Sequence, residues 1–297
     1  MELREKFTGT GVAIITPFKK DASVDFDALD KMVNHIIEGG CNYLVVLGTT
    51  GESVTLTTDE KKNIAQKVVE ANRGRVPLMY GLGGNNTKEV VSQIQSTDFT
   101  GFSALLSVSP YYNKPNQEGI YKHYIAVAEA SPIPVLLYNV PGRTGANITS
   151  ETTLRLAAHK NIFGIKEASG NMEQCMDILK NKPNDFMVIS GDDPLTLPFI
   201  ALGMKGVISV VANAYPKQYS AMVAHCLRGD FSAARPLHYR LLDTIKNMFA
   251  DGSPGGVKAY LKLLNLCEEI VREPLEVVGE QTKRKISKDY ENLKNLG

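Results

Sequence analysis

The sequence predicts an α/β fold, a closed (β/α)8 TIM barrel with additional C-terminal helices. Eight short apolar runs alternate with amphipathic segments along most of the 297 residues, and this alternation is typical of repeated strand–helix units. The runs are uniformly apolar, as expected for parallel strands that are covered on both faces. An open doubly wound sheet is the alternative, but no GxGxxG motif follows the first run.

The first strand–helix unit illustrates the pattern. A strand is predicted over residues 11–16, and Asp25 then supplies an N-cap oxygen for a helix. Gly39 and Gly40 end that helix. Apolar residues recur on one helical face, at Leu29, Met32, Val33, Ile36 and Ile37.

The remaining units repeat this order. Thr57 and Glu60 have the spacing of a capping box, which opens the second helix. The other strands are predicted from apolar runs of five or six residues separated by helix-like segments, over residues 43–47, 77–81, 104–108, 134–138, 162–166, 186–190 and 206–211.

The chain beyond about Gly229 has only helical periodicity. We therefore predict a barrel over residues 1–228 and a helical extension over residues 229–297, although the length alone would also allow two domains. The sequence leaves open whether the extension packs beside the barrel or mediates subunit contacts. Its two apolar stripes are Leu237, Leu241, Leu242, Ile245 and Met248, and then Val257, Tyr260, Leu261 and Leu264.

Composition excludes several classes of function. The formal net charge is +1 and 43% of residues are hydrophobic, which argues against a nucleic-acid or membrane-surface partner. No apolar stretch approaches the roughly 20 residues needed to span a bilayer. The charged N-terminus lacks the apolar core of a signal peptide. We therefore expect a cytoplasmic protein.

Neither cysteine nor histidine spacing suggests a metal site. The four cysteines show no CxxC spacing, and no HExxH motif is present. Reduced, structural cysteines are the better interpretation. We expect no metal and no cofactor. The cysteines are Cys41, Cys175, Cys226 and Cys267.

Lys166, at the end of the sixth predicted strand, is the strongest candidate for chemistry. Lysine is rarely buried without a partner, and barrel enzymes place their sites at the C-terminal ends of strands. A neutral lysine can attack a carbonyl and form a Schiff base, and burial favours the neutral amine. A structural lysine, with its stem on apolar surface and its amine in water, is the alternative.

Three other strand ends carry polar groups. The glycine-rich turn over residues 48–53 gathers hydroxyls and backbone N–H groups that suit a carboxylate, although its hydroxyls could equally cap the next helix. Tyr111 and Tyr112 follow the fourth strand, and Tyr138 ends the fifth strand, with Arg143 close behind. Tyrosine can relay protons and arginine can bind a carboxylate. Singly, Tyr138 could be core packing and Arg143 a solvated loop residue.

Together these segments resemble the dihydrodipicolinate synthases, within the pyruvate-dependent class I aldolases and N-acetylneuraminate lyases. The match runs from about Gly9 to beyond Asn213. GTTGES and the lysine strand mark the superfamily, and YNVPGRTG is the narrower signal because its arginine suits the synthases better than the sugar-acid lyases. The motifs are GTTGES, SPYYNKP, YNVPGRTG, GIKEASGN, SGDD and GVISVVAN.

The resemblance implies four catalytic residues. Lys166 would form an imine with pyruvate, and Tyr138 would lie over it and pass protons. Thr50 would connect Tyr138 to Tyr112 in a hydroxyl relay. Tyr112 would reach into the site of a neighbouring subunit, so the active unit would be at least a dimer.

The resemblance also implies substrate-binding residues. Thr49 and Thr50, with their backbone amides, would hold the pyruvate carboxylate. Arg143 would bind the carboxylate of the second substrate. Gly191 and Ile208 would shape the pocket wall through backbone contacts.

The activity implied is a lyase-class condensation of pyruvate with aspartate 4-semialdehyde in diaminopimelate and lysine biosynthesis. The enzyme would be a homotetramer built as a dimer of dimers, without a nucleic-acid or membrane partner. Two alternatives remain open: another pyruvate-dependent aldolase or lyase that acts on a sugar acid or a hydroxy-oxoacid, and a non-catalytic barrel that binds a keto acid.

The sequence also bears on feedback inhibition by lysine, which the resemblance implies for a cleft between subunits. The polar residues that match this cleft are Ser53, Asn85, Glu89 and Tyr111. Thr58 and Lys61 depart from the pattern of lysine-sensitive bacterial relatives, which often carry histidines there. A cationic Lys61 would repel an incoming lysine, so we expect weak or absent feedback.

Overall fold

The computed structural model describes residues 3–294; the first two residues of the charged N-terminus and the last three of the C-terminal extension lie outside it. Eight parallel strands close into a barrel in sequence order, and β8 pairs with β1. The predicted (β/α)8 barrel is therefore confirmed. The strands are β1 (Gly9–Ala13), β2 (Tyr43–Val46), β3 (Leu78–Gly81), β4 (Ala104–Val108), β5 (Val135–Asn139), β6 (Ile162–Glu167), β7 (Met187–Ser190) and β8 (Gly206–Ser209).

Helices surround the barrel and continue after it. The predicted caps are present: Asp25 accepts from the Ala28 amide, and Thr57 forms a capping box with Glu60. The helices are α1 (Leu3–Lys6), α2 (Phe26–Glu38), α3 (Thr58–Asn72), α4 (Thr87–Ser96), α5 (Gln117–Ala130), α6 (Pro141–Thr144), α7 (Ser150–Leu156), α8 (Met172–Asn181), α9 (Thr196–Ala201), α10 (Pro216–Leu227), α11 (Phe231–Phe249), α12 (Gly255–Leu263) and α13 (Glu280–Lys294).

Strand β1 differs from its prediction, because it begins at Gly9 instead of residue 11 and ends at Ala13. Gly9 pairs with Gly206 of β8, and a Cβ on Gly206 would lie 2.0 Å from the Gly9 carbonyl oxygen. The two backbones thus approach closely where only glycine fits. Because Gly9 carries no side chain and Thr10 is polar, the apolar pattern does not include the first two residues of the strand.

Strand β8 also ends before its predicted limit. It stops at Ser209, and a short 3-10 turn follows over Val211–Asn213. The Asn213 amide group donates to the Ala13 and Val210 carbonyl oxygens, while its oxygen accepts from the Ile15 amide. These bonds fold the apolar segment after Ser209 across the end of β1 instead of extending the sheet.

Alternation along the strands separates an inner layer from an outer one. Inside the barrel, Phe7 packs edge-on against Tyr43 at a centroid distance of 5.2 Å and also contacts Phe163. Tyr43 and Phe163 lie near the starts of their strands, so these rings fill the N-terminal end of the barrel. Polar groups such as Lys166 are therefore confined to the opposite end.

The C-terminal helices pack on one another and on the barrel. Helix α11 packs against α10 and α13 packs against both α11 and α12. The Asp289 carboxylate of α13 accepts 2.6 Å hydrogen bonds from Thr244 of α11 and Tyr260 of α12. Within residues 3–294, no helix is long and apolar enough to cross a membrane.

Candidate active site

A cavity of about 790 Å³ opens at the C-terminal ends of the strands. This is the end at which barrel enzymes carry their sites. Five of the predicted catalytic and substrate-binding residues line the cavity although they come from three separate segments of the chain. They are Thr49, Thr50, Tyr138, Arg143 and Lys166.

Lys166 and Tyr138 lie side by side in the wall of this cavity. The two residues are paired in the register of β5 and β6, so both side chains point into the barrel. The Lys166 Nζ is 4.2 Å from the centre of the Tyr138 ring, and only 6% of the Lys166 surface is exposed. The amine therefore faces an aromatic ring and the cavity, where it can meet a small carbonyl compound.

The glycine-rich turn after β2 forms a second wall of the cavity. Residues Thr49–Gly51 make one 3-10 turn, which presents Thr49 and Thr50 to the cavity. The Thr16 hydroxyl donates a 2.6 Å hydrogen bond to the Gly51 carbonyl oxygen and fixes the turn to the segment after β1. Within residues 3–294, no hydrogen bond joins Thr50 to Tyr138, so the predicted relay is not closed in the single chain.

Arg143 lies on α6, a single turn that the sequence pattern did not predict. Pro141 occupies its first position and Gly145 ends it in a left-handed conformation, with φ of 72°. The Arg143 side chain is exposed and lines the cavity. A guanidinium at this place can bind a carboxylate that enters from solvent.

A buried carboxylate next to Lys166 supports the segment that carries Arg143. Glu167 points away from the barrel interior and accepts hydrogen bonds from Asn139, Gln174 and the Ser169 amide, at 2.8–3.1 Å. Asn139 in turn accepts from the Ile148 amide and donates to Asn147. Glu167 and Asn139 each follow a predicted catalytic residue in sequence. The sequence predicts no role for either residue, since period-2 alternation alone does not show that the outward position is polar and paired.

Gly191 and Ile208 do not line the cavity, but they lie close to it. A Cβ on Gly191 would be 2.9 Å from Lys166 Cε and 2.7 Å from Ala168 Cβ, so the absence of a side chain leaves room for the lysine stem. Ile208 is buried within the apolar cluster of the barrel interior, which also contains Tyr138. Gly191 therefore lies against Lys166, and Ile208 lies in the same apolar cluster as Tyr138.

Tyr112 does not reach the cavity of its own chain. Its side chain is 88% exposed, and its backbone has a φ of 74°, which is uncommon for a bulky residue. Its amide donates to the Thr144 carbonyl oxygen, next to Arg143. An exposed tyrosine held in a strained conformation beside the cavity agrees with a role outside its own chain.

The residues predicted for a regulatory cleft are divided between two places. Ser53 and Tyr111 line the cavity, together with Thr58 and Lys61. Asn85 donates a 3.0 Å hydrogen bond to the Tyr111 carbonyl oxygen, while Glu89 lies in the first turn of α4, outside the cavity lining. The cavity therefore extends from the barrel mouth toward the cleft.

Two aromatic residues that line the cavity, Tyr80 and Phe102, are not predicted from the sequence. Tyr80 is the third residue of β3 and packs edge-on against Phe99 and Phe102. Burial raises the pKa of Tyr80 to about 12, so its hydroxyl keeps its proton at neutral pH. Tyr80 lies within the predicted strand over residues 77–81, and an apolar run alone does not show which of its residues line a cavity.

A model of the dihydrodipicolinate synthetase family matches residues 6–293. The chain belongs to this family. It is 55% identical over 283 residues to the 4-hydroxy-tetrahydrodipicolinate synthase of Flavobacterium psychrophilum, which covers 95% of this chain and 97% of that protein. The family identification from motifs is thereby confirmed.

Solved structures of family members agree with the fold. The dihydrodipicolinate synthase of Aquifex aeolicus superposes with a TM-score of 0.93 at 39% identity, over 97% of this chain and 98% of that one. The enzyme of Cyanidioschyzon merolae, solved with lysine bound, gives a TM-score of 0.91 at 37% identity, over 95% and 97%. The site therefore lies in the barrel of a lyase with a class I aldolase-like mechanism.

Proposed function

We propose that this chain catalyses the 4-hydroxy-tetrahydrodipicolinate synthase reaction, the condensation of pyruvate with aspartate 4-semialdehyde, through an imine on Lys166. The observation that carries the proposal is the buried Lys166 amine, which lies 4.2 Å from the Tyr138 ring in a cavity that Arg143 and two threonines also line. The 55% identity between this chain and the Flavobacterium psychrophilum synthase, over 95% of this chain, supports the same activity.

Each bond change has a group suited to it. The Lys166 amine attacks the ketone carbon of pyruvate and water leaves, which gives an imine. The protonated imine withdraws electrons, so the pyruvate methyl group loses a proton and becomes the nucleophilic carbon of an enamine. That carbon attacks the aldehyde of the second substrate. The substrate amine then replaces Lys166 on the former ketone carbon, which closes the ring and frees the enzyme.

The remaining residues bind the carboxylates of the two substrates or transfer protons. The turn with Thr49 and Thr50 holds the pyruvate carboxylate through N–H and hydroxyl groups. Arg143 forms a charge-assisted pair with the carboxylate of the semialdehyde. Tyr138 moves protons at the imine. General acid–base catalysis of this kind contributes a factor of about 10²–10⁴ to the rate.

The hydroxyl relay requires a second subunit. Tyr112 is exposed and outside its own cavity, so it acts in the site of a neighbouring chain, and the tetramer is a pair of such dimers. Mixing the inactive variants Lys166→Met and Tyr112→Phe under subunit exchange tests this. A mixed dimer would contain one complete site, so activity should return; no recovery would place Tyr112 in its own chain's site or outside the mechanism.

Feedback inhibition by lysine is proposed to be weak. Lys61 lines the same cavity as Ser53 and Tyr111, and its charge opposes a cationic effector. Addition of lysine at about 1 mM, where a site of even moderate affinity would be occupied, should leave turnover nearly unchanged. Strong inhibition would contradict this part of the proposal.

Pyruvate consumption with two aldehydes tests the assignment. Purified protein should consume pyruvate with aspartate 4-semialdehyde and not with N-acetylmannosamine. Turnover with the sugar would favour a sugar-acid lyase, and a pyruvate adduct without turnover would favour the binding barrel. The expected location is the cytoplasm, where both substrates are metabolites.

A further inference from the structure

Glu52, the acidic residue of the GTTGES turn, has an unexpected conformation. It lies between the two 3-10 turns Thr49–Gly51 and Ser53–Thr55 with φ of 54° and ψ of 35°, which is left-handed. A non-glycine residue adopts this conformation only at a cost in steric strain. Its amide donates to the Thr49 carbonyl oxygen and its own carbonyl accepts from Thr55. Glu52 therefore connects the two 3-10 turns, and contacts with neighbouring residues must stabilise its left-handed conformation.

The Glu52 side chain points away from the cavity and meets a fully buried lysine. Lys258 of α12 has no exposed surface, and its Nζ is paired with Glu52 Oε1 at 2.5 Å. The same amine donates to the Ile270 carbonyl oxygen and lies 4.2 Å from the centre of the Phe18 ring. Burial lowers the pKa of Lys258, and Glu52 acts in the opposite direction.

Arg272 completes the contacts of the carboxylate. Its amide donates a 2.9 Å hydrogen bond to Glu52 Oε2, so both carboxylate oxygens have a partner. Its guanidinium donates to the Thr55 carbonyl oxygen, to the Ala22 carbonyl oxygen and to the Glu60 carboxylate. The segment from residue 258 to residue 272 therefore holds the turn at Glu52 and again three residues later.

We propose that Glu52, Lys258 and Arg272 are positioning residues that fix the carboxylate-binding turn in the geometry that receives pyruvate. Thr50 lies two residues before Glu52, and Thr16 holds the intervening Gly51 carbonyl from the other side. A turn that is held in place by contacts at Gly51, Glu52 and Thr55 loses less conformational entropy when the ligand binds. Among residues 3–294, the C-terminal helices contribute no side chain to the cavity lining, yet they would determine its affinity. The inference rests on the proposed function of the turn.

A purely structural ion pair would behave differently, and paired substitutions separate the two roles. Loss of one partner leaves an uncompensated buried charge and destabilises the fold strongly, whereas loss of both charges is much less costly. The variants are therefore Lys258→Met alone and Glu52→Gln with Lys258→Met. Lys262→Met is the matched control, because Lys262 lies one turn further along α12 in an exposed pair with Glu269.

The double variant gives the decisive result. We expect it to unfold at nearly the wild-type temperature, while the KM for pyruvate rises about tenfold or more, the size of one lost hydrogen bond to a charged group. The kcat should fall as well, because Thr50 of the hydroxyl relay lies on the same turn, whereas the KM for the semialdehyde should stay near wild type. All values for the Lys262→Met control should match the wild type. An unchanged pyruvate KM in the folded double variant would overturn the inference. Absence of a pyruvate adduct on wild-type protein would overturn the proposed function with it.

A measurement on the wild-type protein does not depend on variants that fold. Hydrogen exchange is followed with and without saturating pyruvate. The amides of residues 48–55 and 269–272 should both exchange more slowly when pyruvate is bound, whereas residues 243–249 should not change. Protection of the turn alone, without residues 269–272, would contradict coupling between the C-terminal segment and the site.

Discussion

The Lys166 amine lies 4.2 Å from the centre of the Tyr138 ring, and the two residues are direct neighbours in the register of adjacent strands. The pairing of two rigid strands sets this distance, and no loop is involved. A nucleophile and a proton-transfer group held on strands are positioned before any substrate arrives.

Tyr138→Phe should slow the reaction without preventing imine formation. The variant keeps the ring beside Lys166 but removes the hydroxyl that moves protons, so kcat should fall by about 10²–10⁴-fold. Steady-state kinetics with trapping of the pyruvate adduct measures both steps. Tyr239→Phe removes an exposed hydroxyl on α11 and serves as the control. A kcat close to wild type would remove Tyr138 from the proton-transfer role.

Arg143→Ala should weaken use of the semialdehyde much more than use of pyruvate. A lost charge-assisted hydrogen bond corresponds to roughly 10–100-fold in the KM of the second substrate. The control is Arg155→Ala, since Arg155 forms an exposed pair with Glu118. If both KM values stay unchanged, Arg143 does not bind the carboxylate.

The strand-end residues could be predicted from sequence because parallel strands of a barrel all end at one rim. This rule and the residue types place Lys166, Tyr138, Thr50 and Arg143 at the same rim, whereas their individual roles are implied by the resemblance to the dihydrodipicolinate synthases. Glu52 and Lys258 could not be paired in advance, because 206 residues separate them and no local pattern connects a turn with a late helix. The place of Tyr112 depends on a second chain, which a single sequence does not contain.

Gly191→Ala should disturb Lys166 directly. The new methyl group would lie 2.9 Å from Lys166 Cε, and such overpacking costs about 1–3 kcal/mol. We expect a loss of kcat of roughly tenfold or more, because the lysine stem must move. In Gly142→Ala, the matched control, the added methyl meets nothing within 4 Å. Equal activity of the two variants would show that the Gly191 site is not tight.

His123 should make the fold less stable as the pH falls. Its ring is buried, with Nδ1 bonded to the Thr87 hydroxyl, and burial lowers its pKa from 6.5 to about 4. Between these values the unfolded chain binds a proton that the native chain does not, so unfolding is favoured as pH decreases. The slope contributed is up to about 1.4 kcal/mol per pH unit.

Chemical unfolding between pH 7 and pH 4 measures this slope (pH range chosen around the two pKa values). His123→Gln keeps a polar group near Thr87 but cannot titrate, so its free energy of unfolding should depend less on pH than that of the wild type. Identical slopes for the two proteins would mean that His123 is not buried in its neutral form.

Trapping of the pyruvate adduct tests the central claim most directly. The protein is incubated with pyruvate, reduced with borohydride, digested and examined by mass spectrometry. We predict one reduced pyruvyl group per chain, located on Lys166, and none in Lys166→Met. No adduct, or an adduct on another lysine, would contradict the Schiff-base mechanism proposed for this barrel.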